Sequence, residues 1–205
     1  MINTVKLRKI IGWLGMLLPW IVAALYMIFH AHKVKLPGSI SITYYFDACI
    51  TPFMIILGSA GVLLICYDGY DKQDAIICSL AGLFGLCICL FPCWGDRTPT
   101  GTFQVPVEIS NWVHNISAFA FFGLLAYNSL FLFTKHSGEI TPQKKKRNVI
   151  FIVCGIGMLA SFTLLIPLRN VSYGIWLVET IALSFFGISW LTKSQCYSWL
   201  FKDHN

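Results

Sequence analysis

A histidine and two carboxylates lie inside or at the ends of long apolar stretches of this 205-residue chain. His114 begins one such stretch, Asp47 precedes another, and Glu179 lies about one helical turn inside a third. A histidine between carboxylates can act as a general base whose pKa is tuned by its neighbours. Together with a second histidine, the same groups can hold a metal ion that keeps one position open for water. His114, Asp47 and Glu179 are therefore the candidates for catalysis.

Other polar side chains extend this candidate site along the stretch that His114 begins. His114, Ser117, Phe121, Leu124 and Asn128 succeed one another at spacings of three and four residues, which places them on one helical face. Thr51 lies one turn after Asp47 on the helix expected there. The candidate residues for binding a lipid or another ligand are His114, Ser117, Asn128, Glu179, Asp47, Thr51 and Tyr45.

The ionisable residues of this set also have purely structural explanations. His114 can donate a hydrogen bond to a loop carbonyl at the membrane surface. Asp47 can cap the helix that follows it, because an acid is favoured at a helix N-terminus, and Glu179 can serve its own helix in the same way. The sequence carries no signature of a known hydrolase, kinase, P-loop or dinucleotide-binding fold. Structural, binding and catalytic roles are all open, and so is the question of whether the protein is an enzyme.

Six apolar runs must position these residues. Hydrophobic residues make up 57% of the chain and charged residues only 12%, about half the share in a soluble domain. Each run has the roughly 20 residues that a helix needs to cross a bilayer about 30 Å thick. Hydrocarbon offers no hydrogen-bond partners, so the backbone of each run must satisfy its own polar groups, as a helix does. We therefore expect an all-α bundle of six transmembrane helices in a single domain, residues 1–205. The predicted spans are residues 10–29, 49–67, 75–93, 113–133, 149–167 and 175–191.

The basic residues predict how the bundle lies in the membrane. If both termini are cytoplasmic, eleven of the 15 lysines and arginines fall on the cytoplasmic side. The four on the other side are Lys33, Lys35, Arg97 and Arg169. This positive-inside bias predicts an integral membrane protein with both termini in the cytoplasm, in a bacterial inner membrane. The basic run 144–147 dominates the bias and is interpreted as a topology signal, with an anionic-lipid or nucleic-acid site as the alternative.

Eight cysteines raise the question of disulfides and metal sites. Most of them fall inside predicted spans, where thiols act as small apolar packing residues. The stretch from Cys87 to Cys93 lacks the CxxC spacing of a zinc site. Cys49 and Cys93 both lie near the outer face and can form a disulfide if that face is oxidising; otherwise they are unpaired packing residues.

Short strings at the helix ends carry a family resemblance. They are Ser39-Ile-Ser-Ile-Thr-Tyr-Tyr45, Cys66-Tyr-Asp-Gly-Tyr-Asp-Lys-Gln-Asp74, Ala126-Tyr-Asn-Ser-Leu-Phe-Leu-Phe-Thr-Lys135, Lys146-Arg-Asn-Val-Ile150, and Trp176-Leu-Val-Glu-Thr-Ile-Ala-Leu183 with Phe186-Gly-Ile-Ser-Trp190. Together they resemble a group of small, mostly bacterial, uncharacterised integral membrane proteins that are similar in layout to the Frag/DRAM-type six-helix family. The resemblance implies six helices with cytoplasmic termini, and a role in lipid handling, lipid-kinase regulation or autophagy. It also implies that His114 and Glu179 match residue types of the group, whereas Phe46 stands where an arginine before Asp47 is expected.

Two functions follow from these patterns. The first is a non-enzymatic membrane protein that binds a lipid or a membrane-protein partner through the polar residues on the outer-leaflet side. The alternative is a lipid-modifying membrane hydrolase that uses His114 with Asp47 and Glu179, with or without a metal ion. A transporter or channel is disfavoured because the chain has no inverted repeat and no paired broken helices. We expect membrane lipids as partners, no cofactor and no nucleic acid, because this composition does not fit a nucleic-acid-binding domain.

Overall fold

Six long apolar helices make up most of the protein. The structure is a computed structural model that describes residues 3–30, 35–95, 97–136, 138–168 and 170–197. Within these residues the helices are α1 (Thr4–Phe29), α2 (Asp47–Ile65), α3 (Lys72–Leu90), α4 (Val107–Tyr127), α5 (Pro142–Ser161) and α6 (Gly174–Lys193). All six are long and apolar enough to cross a membrane, and the described residues form no strands. The predicted all-α fold with six long apolar helices is confirmed, and the helices fit a multi-pass membrane protein.

Short helical segments connect or extend the six helices. A 3-10 helix, Ser41–Tyr45, precedes α2 and is called the 3-10 segment. A π-helical segment, Asn128–Leu132, continues α4. A 3-10 turn, Phe162–Leu164, and a helical turn, Leu165–Leu168, continue α5. With these extensions, the fourth and fifth spans are longer than α4 and α5 alone.

The helices α1, α3 and α5 begin before the corresponding apolar runs, and a polar side chain caps the first turn of each. The side chain of Asn3 accepts hydrogen bonds from two backbone N–H groups in the first turn of α1. Asp71 caps α3 and Thr141 caps α5 in the same way. α4 begins at Val107, six residues before the predicted start of the fourth span at residue 113.

The helices pack in chain order around a ring. Each helix contacts the helices before and after it, and α6 closes the ring on α1. α2 therefore packs between α1 and α3, while α5 lies between α4 and α6. Aromatic side chains such as Phe121, Phe186 and Trp190 are buried inside the bundle. Large apolar side chains such as Trp20 and Ile166 are exposed on its outside, as a lipid-facing surface requires.

Glycines bring neighbouring helices into backbone contact. A Cβ atom added to Gly82 on α3 would collide with the carbonyl of Gly61 on α2 and lie 3.0 Å from the backbone nitrogen of Ile65. A Cβ atom added to Gly187 on α6 would lie 2.9 Å from the carbonyl of Gly12 on α1. Small residues allow membrane helices to approach this closely where no hydrophobic effect draws helices together. These glycines therefore set the distances across two of the helix pairs in the ring.

The two ends of the bundle differ in charge. α1 begins and α6 ends at the same end, where their basic side chains Arg8 and Lys193 line one cavity. We call this end the basic face. The opposite face carries the 3-10 segment and the starts of α4 and α6. Among the basic residues that predict the orientation, Lys33, Arg169 and Lys202 lie outside the described residues.

Candidate functional site

The carboxylate of Glu179 anchors the chain before α2 to the first turns of α6. Its Oε2 atom accepts the backbone N–H of Ile40, and its Oε1 atom accepts the hydroxyl of Ser41 at 3.4 Å. Less than a turn earlier on α6, the backbone N–H of Trp176 donates to the carbonyl of Gly38 at 3.0 Å. These hydrogen bonds hold the start of the 3-10 segment against α6, at the face opposite the basic face.

Local hydrogen bonds explain why the segment turns at this point. The hydroxyl oxygen of Ser39 accepts the backbone N–H of Ile42 at 2.9 Å, and the hydroxyl of Thr43 donates to the carbonyl of Ile40. Serine and threonine often bond to nearby backbone in this way, in competition with regular helix. The turn presents Ser41 to both α4 and α6.

His114 lies on α4, and its buried ring faces the loop that follows α3. Only 3% of its surface is exposed. Its Nδ1 atom lies 2.8 Å from the carbonyl oxygen of Phe91, and its Nε2 atom lies 3.0 Å from the hydroxyl oxygen of Ser41. A carbonyl only accepts hydrogen bonds, so Nδ1 carries a proton, and in the neutral ring Nε2 accepts the proton of Ser41. The loop carbonyl that a structural role for His114 requires is present, and the ring reaches a hydroxyl group as well.

Ser41 joins the two ionisable residues. Its single hydroxyl proton can go to His114 or to Glu179, but not to both at once. The contact with His114 is shorter, 3.0 Å against 3.4 Å for the contact with Glu179. The three side chains form one connected set, which we call the polar triplet.

The polar triplet lines a cavity of about 640 Å³ between α4, α6 and the end of α5, which we call the outer cavity. Asn111 and Asn115 add amide groups to its wall. The apolar part of the wall includes Phe119, Phe122 and Phe162. At the rim, Phe119 is 59% exposed and Ile175 is 52% exposed. The outer cavity thus joins the polar triplet to a rim that holds exposed apolar side chains and the exposed amide of Asn115.

The structure places two predicted site residues away from the polar triplet. Asp47 and Thr51 are exposed at the start of α2, a helix that packs between α1 and α3. Among the described residues, no hydrogen bond or ion pair joins Asp47 to His114 or Glu179. Asp47 is instead the acidic residue in the first turn of α2, the position where its negative charge favours the helix.

The remaining predicted residues serve other contacts. Tyr45 donates its hydroxyl proton to the carbonyl of Cys93 at 2.6 Å, which ties the 3-10 segment to the loop after α3. Ser117 is buried one turn beyond His114. Asn128 lies at the far end of α4, where its amide donates to the thiol sulfur of Cys78 at 2.9 Å. Sharing a helical face with His114 therefore does not bring Asn128 to the outer cavity.

None of the eight cysteines, all of which lie among the described residues, forms a disulfide. The thiol of Cys49 contacts the carbonyl of Val22 at 3.6 Å rather than Cys93. Cys93 lines the outer cavity.

In the part of the chain that the structure describes, no group of three or more His, Cys, Asp and Glu side chains is suited to hold a metal ion. Both ring nitrogens of His114 already have oxygen partners, in Phe91 and Ser41. The arrangement therefore favours hydrogen bonding and proton transfer over metal binding.

Ser41 is the member of the polar triplet that the sequence patterns did not single out as a site residue. It lies in the string from Ser39 to Tyr45 that carries part of the family resemblance, outside every predicted span. The available signal was a pair of serines two residues apart directly before an apolar span, which is common in loops and has little specificity.

Comparison of the chain with protein-family models, with curated proteins and with solved structures found no match in any of the three. The polar triplet and the outer cavity are therefore the features from which a function has to be inferred.

Proposed function

We propose that the protein lies in a bacterial inner membrane with both termini in the cytoplasm, and that it binds a membrane lipid in the outer cavity. The excess of basic residues at the basic face supports the orientation, because positively charged ends of membrane helices stay in the cytoplasm. In this orientation the polar triplet lies in the outer leaflet. The observation that carries the proposal is that one cavity of about 640 Å³ joins the polar triplet to the exposed apolar side chains of Phe119 and Ile175.

This division of the cavity matches the division of a lipid. A headgroup placed beside Glu179, His114 and Ser41 would find donors and acceptors, and acyl chains would pass between the aromatic side chains of the wall toward Phe119 and Ile175. The volume lies within the range of about 300–1,000 Å³ typical of ligand sites. The resemblance to the Frag/DRAM-type group supports lipid handling as well.

The charges that line the outer cavity limit the classes of lipid headgroup that it can bind. Among the described residues that line it, Glu179 is acidic and none is lysine or arginine. A carboxylate repels a bare phosphate but accepts hydrogen bonds from hydroxyl or ammonium groups. We therefore propose a lipid with a hydroxylated or amine-bearing headgroup. A side chain of a partner membrane protein is the other occupant that the sequence suggested.

Photo-crosslinking tests lipid binding directly. The purified protein in nanodiscs would be irradiated with phosphatidylethanolamine that carries a diazirine in its acyl chain, and the labelled peptides identified by mass spectrometry. We expect labelling on α4 and α5 around Phe119 and Phe162. Ala118→Phe, which places a large side chain in the cavity, is expected to reduce this labelling about tenfold.

Ala120→Phe is the matched control, because residue 120 is on the same helix and lines none of the described cavities. Equal labelling of the two variants, or labelling spread evenly over the outside of the bundle, would contradict lipid binding in the outer cavity. Crosslinks to a protein rather than to lipid, in native membranes, would favour the membrane-protein partner.

The geometry of Ser41 and His114 favours a lipid-modifying hydrolase as the second candidate function. A hydroxyl lies 3.0 Å from the Nε2 atom of the ring, and a carbonyl holds the other ring nitrogen. This order of nucleophile, base and orienting acceptor is the one that nucleophilic catalysis requires. Ser41 would attack the carbonyl carbon of an acyl ester, and His114 would take the proton and pass it to the departing alcohol; water would then release the acyl group.

This version of the hydrolase differs from the one expected from the sequence. Asp47 has no part in it, and Glu179 contacts the nucleophile Ser41 rather than the base. No metal ion enters the step.

A serine-directed fluorophosphonate probe distinguishes the two functions. If Ser41 is activated, the probe is expected to label it in the native protein, and His114→Ala is expected to abolish the labelling because the base is lost. Ser172→Ala is the control, since Ser172 lines the same cavity without contacting His114. A native protein that remains unlabelled at Ser41 would exclude the hydrolase and leave lipid binding in place.

A further inference from the structure

A second large cavity opens at the basic face, at the end of the bundle opposite the polar triplet. Its volume is about 430 Å³, and we call it the basic cavity. Basic side chains reach it from the start of α1, the end of the fourth span, the start of α5 and the end of α6. They are Arg8, Lys135, Lys144, Arg147 and Lys193. Asp71 is the acidic residue among the described residues that line it.

The neighbouring carboxylates are committed to one of these cations. The Nζ atom of Lys135 lies 2.8 Å from Asp71 and 2.9 Å from Asp74. The hydrogen bond from Lys135 holds the pKa of Asp71 below its usual value, so the pair stays ionised at neutral pH. Within the described residues, no carboxylate lies within 4.0 Å of Arg8 or Lys193. Arg8 and Lys193 therefore leave the cavity with an excess of positive charge.

Lys193 shows this excess most clearly. Only 8% of its surface is exposed. Its ammonium lies 3.3 Å from the carbonyl of Phe133, 4.8 Å from the ring of Phe133 and 4.5 Å from the ring of Tyr70. Lys144 donates to the same carbonyl at 2.8 Å, so two ammonium groups converge on one oxygen atom. Burial of the Lys193 ammonium beside a second cation is unfavourable, and an anionic ligand in the cavity would offset this cost.

Arg8 is held in position without being neutralised. Its Nε atom donates to the hydroxyl oxygen of Tyr67 at 2.9 Å. A phenol hydroxyl carries no negative charge, so this contact positions the guanidinium without offsetting its positive charge. The terminal nitrogens of Arg8 remain for a ligand in the cavity that it lines.

Thr192 adds an unused hydroxyl to the same wall. Thr192 is 2% exposed and lines the basic cavity. Its buried hydroxyl oxygen has no hydrogen-bond partner among the described residues. Buried polar groups are nearly always hydrogen-bonded in native proteins, so this hydroxyl is available to a ligand or a water molecule in the cavity.

We propose that the basic cavity binds the phosphate group of a phosphomonoester, held by Arg8 and Lys193, with the Thr192 hydroxyl as a further donor. A guanidinium fork and ammonium point charges are the groups that proteins use for phosphate oxygens. The cavity is larger than a phosphate ion, which leaves room for an attached glycerol- or sugar-sized group. The site is independent of the outer cavity and of the lipid or hydrolase function proposed for it.

The phosphate can belong to a lipid headgroup at the membrane surface or to a soluble compound, and two probes separate these sources. The full chain in phosphatidylcholine nanodiscs would be titrated with glycerol 3-phosphate, and thermal unfolding recorded. In parallel, nanodiscs containing phosphatidic acid would be compared with nanodiscs containing phosphatidylglycerol, an anionic lipid without a phosphomonoester. Stabilisation by glycerol 3-phosphate identifies a soluble ligand, and stabilisation by phosphatidic acid alone identifies a lipid.

Two charge-removing substitutions locate the site. Arg8→Gln and Lys193→Met are each expected to weaken binding of the effective probe about tenfold or more, the effect of losing one charged hydrogen bond. Lys6→Gln is the matched control, because Lys6 is exposed on the same helix as Arg8 and does not line the cavity. If Arg8→Gln fails to fold, Lys193→Met and the native titrations still decide the question.

The proposal is overturned if neither probe stabilises the native protein beyond the phosphatidylglycerol control. It is also overturned if Lys6→Gln weakens binding as much as Arg8→Gln does, since the binding would then depend only on surface charge.

Discussion

Replacing Gly82 with alanine is expected to lower the stability of the purified protein by about 3 kcal/mol or more, the upper end of the effect of overpacking. The added Cβ atom would collide with the carbonyl of Gly61 and lie 2.8 Å from Cγ1 of Ile65. Both obstacles belong to α2, and the carbonyl is a backbone atom that cannot rotate aside as a side chain can. The two helices must therefore move apart where they cross. This movement also disturbs the contacts of α2 with α1 and of α3 with α4.

Gly58→Ala is the control for this effect, because Gly58 lies on α2, the helix that Gly82 contacts, and no heavy atom lies within 4 Å of a Cβ added there. Alanine is a better helix former than glycine, so this variant is expected to be as stable as the native protein or slightly more so. The measurement is the fraction of monodisperse protein that remains in detergent after heating. Equal melting of the two variants would show that α2 and α3 are not in backbone contact at Gly82.

The six spans could be predicted because the bilayer imposes a length and a composition on each of them. The starts of the helices could not, because hydrogen bonds outside the hydrocarbon determine them. α4 illustrates this point: its first turns contain Glu108, Ser110 and Asn111, which lower the local hydropathy and hide the helix. The hydroxyl of Ser110 donates to the carbonyl of Pro92, a contact that no periodicity reveals.

Two residues of the candidate site, His114 and Glu179, could be predicted because ionisable side chains are rare in membrane spans. Asp47 is predicted to lie near them because it is at the same depth in the membrane. In the ring, however, α2 packs between α1 and α3, whereas His114 and Glu179 lie on α4 and α6. Ser41 reaches the site through backbone contacts of the residues before it, which depend on tertiary structure alone.

The basic cavity shows the same limit. The run 144–147 is conspicuous in the sequence and was interpreted as a topology signal. Its contact with the same cavity as Arg8 and Lys193 depends on the closing of the ring by α6 on α1. These two residues come from the opposite ends of the chain, so nothing in the local sequence joins them. A topology signal and a ligand site are compatible, because both require positive charge at the cytoplasmic surface.

Glu179→Leu is expected to release the start of the 3-10 segment from α6. The substitution removes the acceptor of the Ile40 N–H and leaves this partly buried group without a partner, which costs about 1–3 kcal/mol. Hydrogen–deuterium exchange of the Ile40 amide in detergent or nanodiscs should therefore accelerate about tenfold to a hundredfold. Thr180→Val is the control, since it changes the next residue of α6 without touching the segment; its hydroxyl bonds within α6, to the carbonyl of Trp176.

Glu179→Gln separates the anchoring role of this residue from its charge. The amide oxygen of glutamine can still accept the Ile40 N–H, so exchange at Ile40 should stay near the native rate. The carboxylate is lost, however, and with it the stronger charge-assisted hydrogen bond to a hydroxylated or amine-bearing headgroup, so lipid crosslinking should fall about tenfold. Native crosslinking in the glutamine variant would mean that Glu179 only positions the 3-10 segment. Unchanged exchange in the leucine variant would mean that it does not anchor the segment at all, and that the contact between Trp176 and Gly38 is sufficient.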